Sequence, residues 1–384
     1  MAPVSAGTAT VPSGGDWPMY AGDPAHDSVN HHATSLSPIT VAGLHVTHTY
    51  PGWHLNPEQV IIAGSLAYGI GHGQGPRSGT YIRAFHLPGG AKAWEQQICY
   101  GAVKRCGGTP AVQNGVVFVV GQAVNPVSFT AMFAFNAVTG VLLWTTALAT
   151  FSYASPAVTA SAGTVYAVID AQTVYALDSA TGRILWSATA GCCVWSPVTV
   201  AGGLTYVNFT PSVGASYLYA YSAATGALVF QSPAGPSGLV AVSGGVAYQR
   251  NAQTCALEAF NASSGALLWS SLTGTGALLC YSEPAADHGI VVVGDGRYLI
   301  GFAANTGARL WTLDDGGWFG HPAMANGVVY VDLGGALRAV DEATGTVLYT
   351  AGLYCPSPIV AHNAVYAMCF DLSNTSVGMT VFGL

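Results

Sequence analysis

Seven times along this chain a short string recurs in which a glycine is followed, four residues later, by an aromatic. The strings are AFHLPGGAKAW, AFNAVTGVLLW, ALDSATGRILW, AYSAATGALVF, AFNASSGALLW, GFAANTGARLW and AVDEATGTVLY. Their glycines are Gly90, Gly140, Gly182, Gly226, Gly265, Gly307 and Gly345, at a mean spacing of 42.5 residues. A repeat of that length, built of short alternating segments, is the signature of propeller blades, each a small sheet that must bury its faces against its neighbours. One repeat reads as four strands: SPAVTA (155–160), GTVYAVI (163–169), VYALDSA (174–180) and, after a TG turn, RILWSAT (183–189). The turn needs glycine because one of its positions takes positive φ. The aromatic that follows, such as Trp186, is expected to pack between blades.

The eighth unit lacks the glycine–aromatic string. NAVYAMCF (363–370) and VGMTVFGL (377–384) supply its inner strands, and TVAGLHVTHTY (40–50) is expected to supply the outer one. Such closure joins the chain's two ends in one sheet and removes two open edges. The expected fold is therefore all-β: an eight-bladed β-propeller of four-stranded antiparallel blades, its ring closed by an N-terminal strand. Residues 1–15 read as a flexible small-residue linker. Residues 16–384 form the single propeller, with 16–50 as the N-terminal segment and closing strand.

Charged residues are only 7% of the chain, against a typical value of about 25%. Aromatics at 11% exclude the disordered class. No run of eighteen apolar residues is uninterrupted, so no transmembrane segment is expected. The net charge of −7 and the lack of a dense basic cluster argue against nucleic acid as a partner. The expected partner is a small molecule, a sugar, a polymer or another protein.

Eight cysteines, an even count, suggest disulfides and an oxidising compartment. Cys99 and Cys106 share one loop and are expected to bond; so are Cys255 with Cys280 and Cys355 with Cys369. Cys192 and Cys193 are adjacent and bond either to each other or elsewhere. The first fifteen residues have no basic start and no apolar stretch, so they do not read as a signal peptide. The expected location is periplasmic or extracellular, reached with a signal that this sequence does not carry.

The strings AFNAVTGVLLW and ALDSATGRILW resemble the repeat of pyrroloquinoline-quinone (PQQ) enzymes, and the opening DWPMYAGDPAHDSVNHHATSLSPITVAGL (16–44) is similar to that family's N-terminal segment. The resemblance implies the propeller fold. It also implies two kinds of function, because the family holds PQQ-dependent alcohol and sugar dehydrogenases and cofactor-free proteins such as the outer-membrane assembly lipoprotein. The pair Cys192–Cys193 in GCCVWSP is similar to an adjacent-cysteine disulfide that lies on the quinone in the alcohol dehydrogenases. Those enzymes continue with Asn-Arg-Gly; here Val194 and Trp195 follow. Their metal-ligand motifs and catalytic Asp string are not found either. PQQ with Ca²⁺ thus enters as a possible cofactor that the sequence does not require, and no metal ligands are assigned.

Propeller ligands bind near the axis, on the face built by the loops that lead into the innermost strands. Here those loops carry Trp53, His54, Asn56, Glu58, Arg105, Tyr153, Trp195, Tyr281, Glu283, Trp318, Phe319, His321 and Tyr354. Ionisable groups gathered at the axis of a charge-poor chain mark a candidate site. Aligned on the recurring proline, Asn56, Thr109, Ser155, Ser196, Glu283, His321 and Ser357 form a polar ring. Glu283 and His321 come from neighbouring repeats, so a carboxylate–imidazole pair is expected there, able to act as a general base or, with His54, to hold a metal. His26, His31 and His32 read as surface residues of the N-terminal segment, and Gly71–Gly75 as a loop within a blade. The expected function is a secreted propeller binding a sugar, polymer or peptide in an aromatic-lined funnel. The alternatives are a PQQ-dependent oxidoreductase and a cofactor-free lyase or hydrolase that uses Glu283 and His321.

Overall fold

The computed structural model describes residues 15–384 except 54, 57–58, 74–78, 101–106, 125–127, 150–156, 190–195, 210–214, 236–237, 274–281, 315–320 and 372–374. Eight four-stranded antiparallel sheets follow one another along the chain. In seven of them the strands come in sequence order from the axis outwards, as in Thr159–Ser161, Thr164–Ile169, Thr173–Asp178 and Ile184–Thr189. In the eighth, Ile359–Ala361, Ala364–Phe370 and Ser376–Gly383 are completed by His45–Tyr50, which pairs antiparallel with Ser376–Gly383 from His45 opposite Gly383 to Tyr50 opposite Met379. The ring is closed by its N-terminal strand. A 3₁₀ turn, Val41–Gly43, precedes the closing strand; its Val41 lies in the same apolar cluster as Leu44, against which Leu348 and Tyr349 of the seventh blade pack.

The repeated glycine and the repeated aromatic meet across blade boundaries. Trp94 lies against Gly140, Trp144 against Gly182, Trp186 against Gly226, Phe230 against Gly265, Trp269 against Gly307 and Trp311 against Gly345. Each of these glycines has φ between +68° and +73°, and the ring of the preceding blade occupies the space a Cβ would need. Glycine is required twice over, for the turn and for the contact. Each tryptophan also donates its indole N–H to a carbonyl of the next blade, Trp186 to Ala223 at 2.9 Å and Trp311 to Glu342 at 2.8 Å. Tyr50 takes the same place in the eighth blade, against Gly90.

Residues 15–30 run once around the inside of the ring. Gly15 accepts the His362 N–H (2.7 Å) at the eighth blade, and Trp17 exchanges two bonds with Ile62 of the first. Pro18 accepts from Val112 of the second blade, Pro24 from Val200 of the fourth, Ala25 from Val242 of the fifth and Asp27 from Ala286 of the sixth. Ser28 and Asn30 bond Met324 of the seventh, and the Asn30 side chain returns to Val360 of the eighth. The third blade is reached through a side chain, His26 to Thr159. The innermost strands would otherwise leave unpaired edge groups along the axis, and this segment satisfies them.

This placement corrects the reading of His26 as a surface residue. It is fully buried, with Nδ1 3.2 Å from Thr199 Oγ1 and Nε2 3.2 Å from Thr159 Oγ1. Thr199 donates its own proton to the Val240 carbonyl. It therefore accepts from Nδ1–H, while Nε2 accepts from Thr159, a pattern that fits a neutral ring. Burial lowers the imidazole pKa from 6.5 to about 3. His31 and His32 are exposed, as the sequence suggests.

Candidate functional site: the funnel floor

The face where the chain passes from the outer strand of one blade to the inner strand of the next carries a pocket on the axis. Its lining includes Trp17, Tyr20, Thr109, Glu283, His321 and Ser357. Glu283 and His321 each stand just ahead of an innermost strand, Ala285–Asp287 and Ala323–Ala325, so adjacent blades present them side by side. His321 Nδ1 lies 3.5 Å from Glu283 Oε2. The same oxygen accepts the Tyr20 hydroxyl at 2.6 Å. Tyr20 belongs to the segment that circles the axis, and its ring meets His321 edge-on with centroids 6.2 Å apart. Sequence reasoning missed Tyr20 because nothing local marks a tyrosine 263 residues from its partner. The available signal was that an apolar, aromatic N-terminal segment needs somewhere to be buried.

Four members of the expected polar ring, Thr109, Glu283, His321 and Ser357, share this pocket. Ser196 is buried, with no hydrogen-bond partner for its hydroxyl. Asn56 is not in the pocket; its amide donates to Gln59 at 2.9 Å. Trp53 is not there either. It is stacked between Tyr50 and Phe85, at 4.7 and 4.3 Å, with its indole N–H on the Gly90 carbonyl. It joins the first and last blades, lying with Asn56, His72 and Glu95 along a groove away from the axis. Tyr354 packs on Phe370 at 5.7 Å and exchanges backbone bonds with it. His54, Glu58, Arg105, Tyr153, Ser155, Trp195, Tyr281, Trp318 and Phe319 lie outside the described residues.

Arg250 and Asp295 form a buried pair at 3.2 Å, at the ends of second strands in the fifth and sixth blades. Burial lowers the guanidinium's pKa and Asp295 opposes that shift. Nη2 of the guanidinium is matched to a carboxylate, while Nε and Nη1 are buried without a hydrogen-bond partner among the described residues.

Four of the eight cysteines lie among the described residues. Cys355 and Cys369 are bonded, with Cα atoms 4.2 Å apart, and tie the segment entering the last blade to that blade's second strand. Cys99 and Cys255 are also disulfide-bonded, and no described cysteine is free. Cys106, Cys192, Cys193 and Cys280 lie outside the described residues.

Overlapping matches over residues 78–211, 135–254, 172–287 and 256–369 fit the PQQ-like repeat family described as outer membrane protein assembly factor BamB. The chain belongs to this PQQ-like repeat family. Among solved structures, a europium-containing methanol dehydrogenase is similar with a TM-score of 0.77 and 13% identity, over 97% of this chain and 98% of that one. BamB from Moraxella catarrhalis is similar with a TM-score of 0.63 and 16% identity, over 89% and 100%. Quinohemoprotein alcohol dehydrogenase from Comamonas testosteroni gives 0.72 and 12%, over 99% and 81%. Identities this low show the shared fold alone. No curated protein matches the sequence significantly.

PQQ is a tricarboxylate and needs several cations. The described pocket lining offers a carboxylate, an imidazole, hydroxyls and rings, with no Lys or Arg. The described lining does not fit the quinone.

Proposed function

We propose that this protein is a ligand-binding propeller whose axial funnel takes an uncharged, hydroxyl-rich chain such as an oligosaccharide. The observation that carries this reading is the floor itself, where Tyr20 holds Glu283 beside His321 and the described lining contains no Lys or Arg. Such a floor offers neutral donors and acceptors and one oriented carboxylate, the division of labour expected where a few polar groups orient a ligand. Among the described lining, Trp17 and Tyr20 offer rings suited to the apolar faces of sugars. Disulfides at Cys99, Cys255, Cys355 and Cys369 support a location in an oxidising compartment.

Calorimetric titration with a panel of neutral oligosaccharides tests the reading, alongside titration with PQQ and Ca²⁺ followed by quinone absorbance. Saturable oligosaccharide binding that weakens at least tenfold in Glu283→Gln and Tyr20→Phe is the expected result. Stoichiometric PQQ binding with alcohol-dependent dye reduction would replace it with the dehydrogenase reading.

A further inference from the structure

The opposite face of the ring departs from the repeat at one place. In six repeats the residue two positions after the third strand's last apolar residue is Leu87, Ala137, Ser179, Ala223, Ala262 or Ala304; in the seventh it is Glu342. In the same neighbourhood, the inner strand of the sixth blade ends in Asp287 and turns through His288. Asp287, His288 and Glu342 bring one ligand atom each within 4.8 Å of one another. His288 Nδ1 is 2.8 Å from Asp287 Oδ2 and 3.7 Å from Glu342 Oε2.

A carboxylate inserted where five of the other six repeats have Ala or Ser, and the sixth Leu, needs a partner. Glu342 is 3% exposed and its Oε1 has none. Asp287 is buried beside it. A fourth group comes from the N-terminal segment: His31 Nδ1 lies 3.8 Å from Asp287 Oδ1. Its other nitrogen, Nε2, points to Asp27 Oδ2 at 3.5 Å. That is the carboxylate–histidine arrangement that orients metal-binding imidazoles. Ligand atoms of a tetrahedral ion with bonds of about 2.0 Å stand about 3.3 Å apart; Asp287, His288 and Glu342 lie near that spacing, and His31, at 3.8 Å from Asp287, has to swing in to complete the set.

We propose that Asp287, His288, Glu342 and His31 bind one divalent transition-metal ion, Zn²⁺ by ligand type, which clamps the N-terminal segment to the sixth and seventh blades. Two imidazoles with two carboxylates suit such an ion better than Ca²⁺, which favours an all-oxygen shell of six to eight ligands. The site is on the face opposite the funnel and is independent of it. Burial, with Asp287 and Asp341 nearby, pushes the Glu342 carboxyl up to about 8. A cation relieves that crowding.

Chelator-treated full-length protein is titrated with Zn²⁺ against a competing chelator, and its melting is followed with and without the metal. One tightly bound equivalent and a raised Tm are expected. Glu342→Gln and His31→Ala should each weaken binding at least tenfold, whereas His45→Ala on the exposed closing strand should leave it unchanged. Without metal, Glu342→Gln should melt no lower than the wild type, which shows that the variant folds. Absence of a stoichiometric Zn²⁺, tighter binding of Ca²⁺ than of Zn²⁺, or unchanged affinity in both ligand variants overturns the proposal.

Discussion

Trp186 shows how one residue serves two blades. It is buried on the outer strand of the third blade, covers Gly226 of the fourth and donates to Ala223. Trp186→Ala removes both the contact and the hydrogen bond, and should cost about 3–5 kcal/mol in urea unfolding. Gly226→Ala attacks the same joint from the other side, through strain at φ +71° and a clash with the indole; it should also destabilise, and an unchanged midpoint would mean the pair is not in contact. His26 carries a different expectation at this scale. The unfolded chain takes up a proton below pH 6.5, whereas the folded ring resists until about 3. The unfolded state thus binds more protons across that window, and stability falls as pH drops from 6.5 towards 3. Replacing His26 with Gln keeps hydrogen-bonding groups against Thr159 and Thr199 without the titration. The fall in unfolding free energy between pH 6.5 and 4 should then be shallower than in the wild type.

At the scale of elements, the N-terminal fifty residues do two separable jobs. Residues 15–30 line the axis and supply Trp17 and Tyr20 to the funnel floor, while His45–Tyr50 closes the ring. Deleting residues 1–30 should lower Tm and abolish funnel binding, yet leave a monomer, because the closing strand survives. Deleting residues 1–50 should lower Tm further and expose Ser376–Gly383 as an open edge, with self-association seen by size-exclusion chromatography. Equal melting of the full chain and the longer deletion would show that the closing strand carries no stability. Most strands were legible because alternation and the glycine–aromatic string repeat with every blade. The circuit made by residues 15–30 was not. Its hydrogen bonds are irregular, each to a different blade, and no period marks them.

For the whole molecule, disulfides bear on where the ring is stable. Thiol labelling of denatured, unreduced protein should leave Cys99, Cys255, Cys355 and Cys369 unreacted. Labelling of those four would contradict the bonded state. The sequence by itself determined the eight blades, their period, the closing strand and the approach of Glu283 to His321. Each of these follows from local pattern or from one residue's rank within a repeat, and a repeat fixes what lies beside what. The tertiary structure alone decided the rest. Trp53 stands in a loop of the kind expected to face the axis, yet it stacks between Tyr50 and Phe85, because two aromatic faces cover it better than open solvent. His26 is buried and Tyr20 holds Glu283 because a non-repeating segment threads the repeating ring. Contacts between such a segment and eight separate blades span as many as 346 residues of chain or more. They depend on the ring having already formed, and no local pattern in the sequence encodes them.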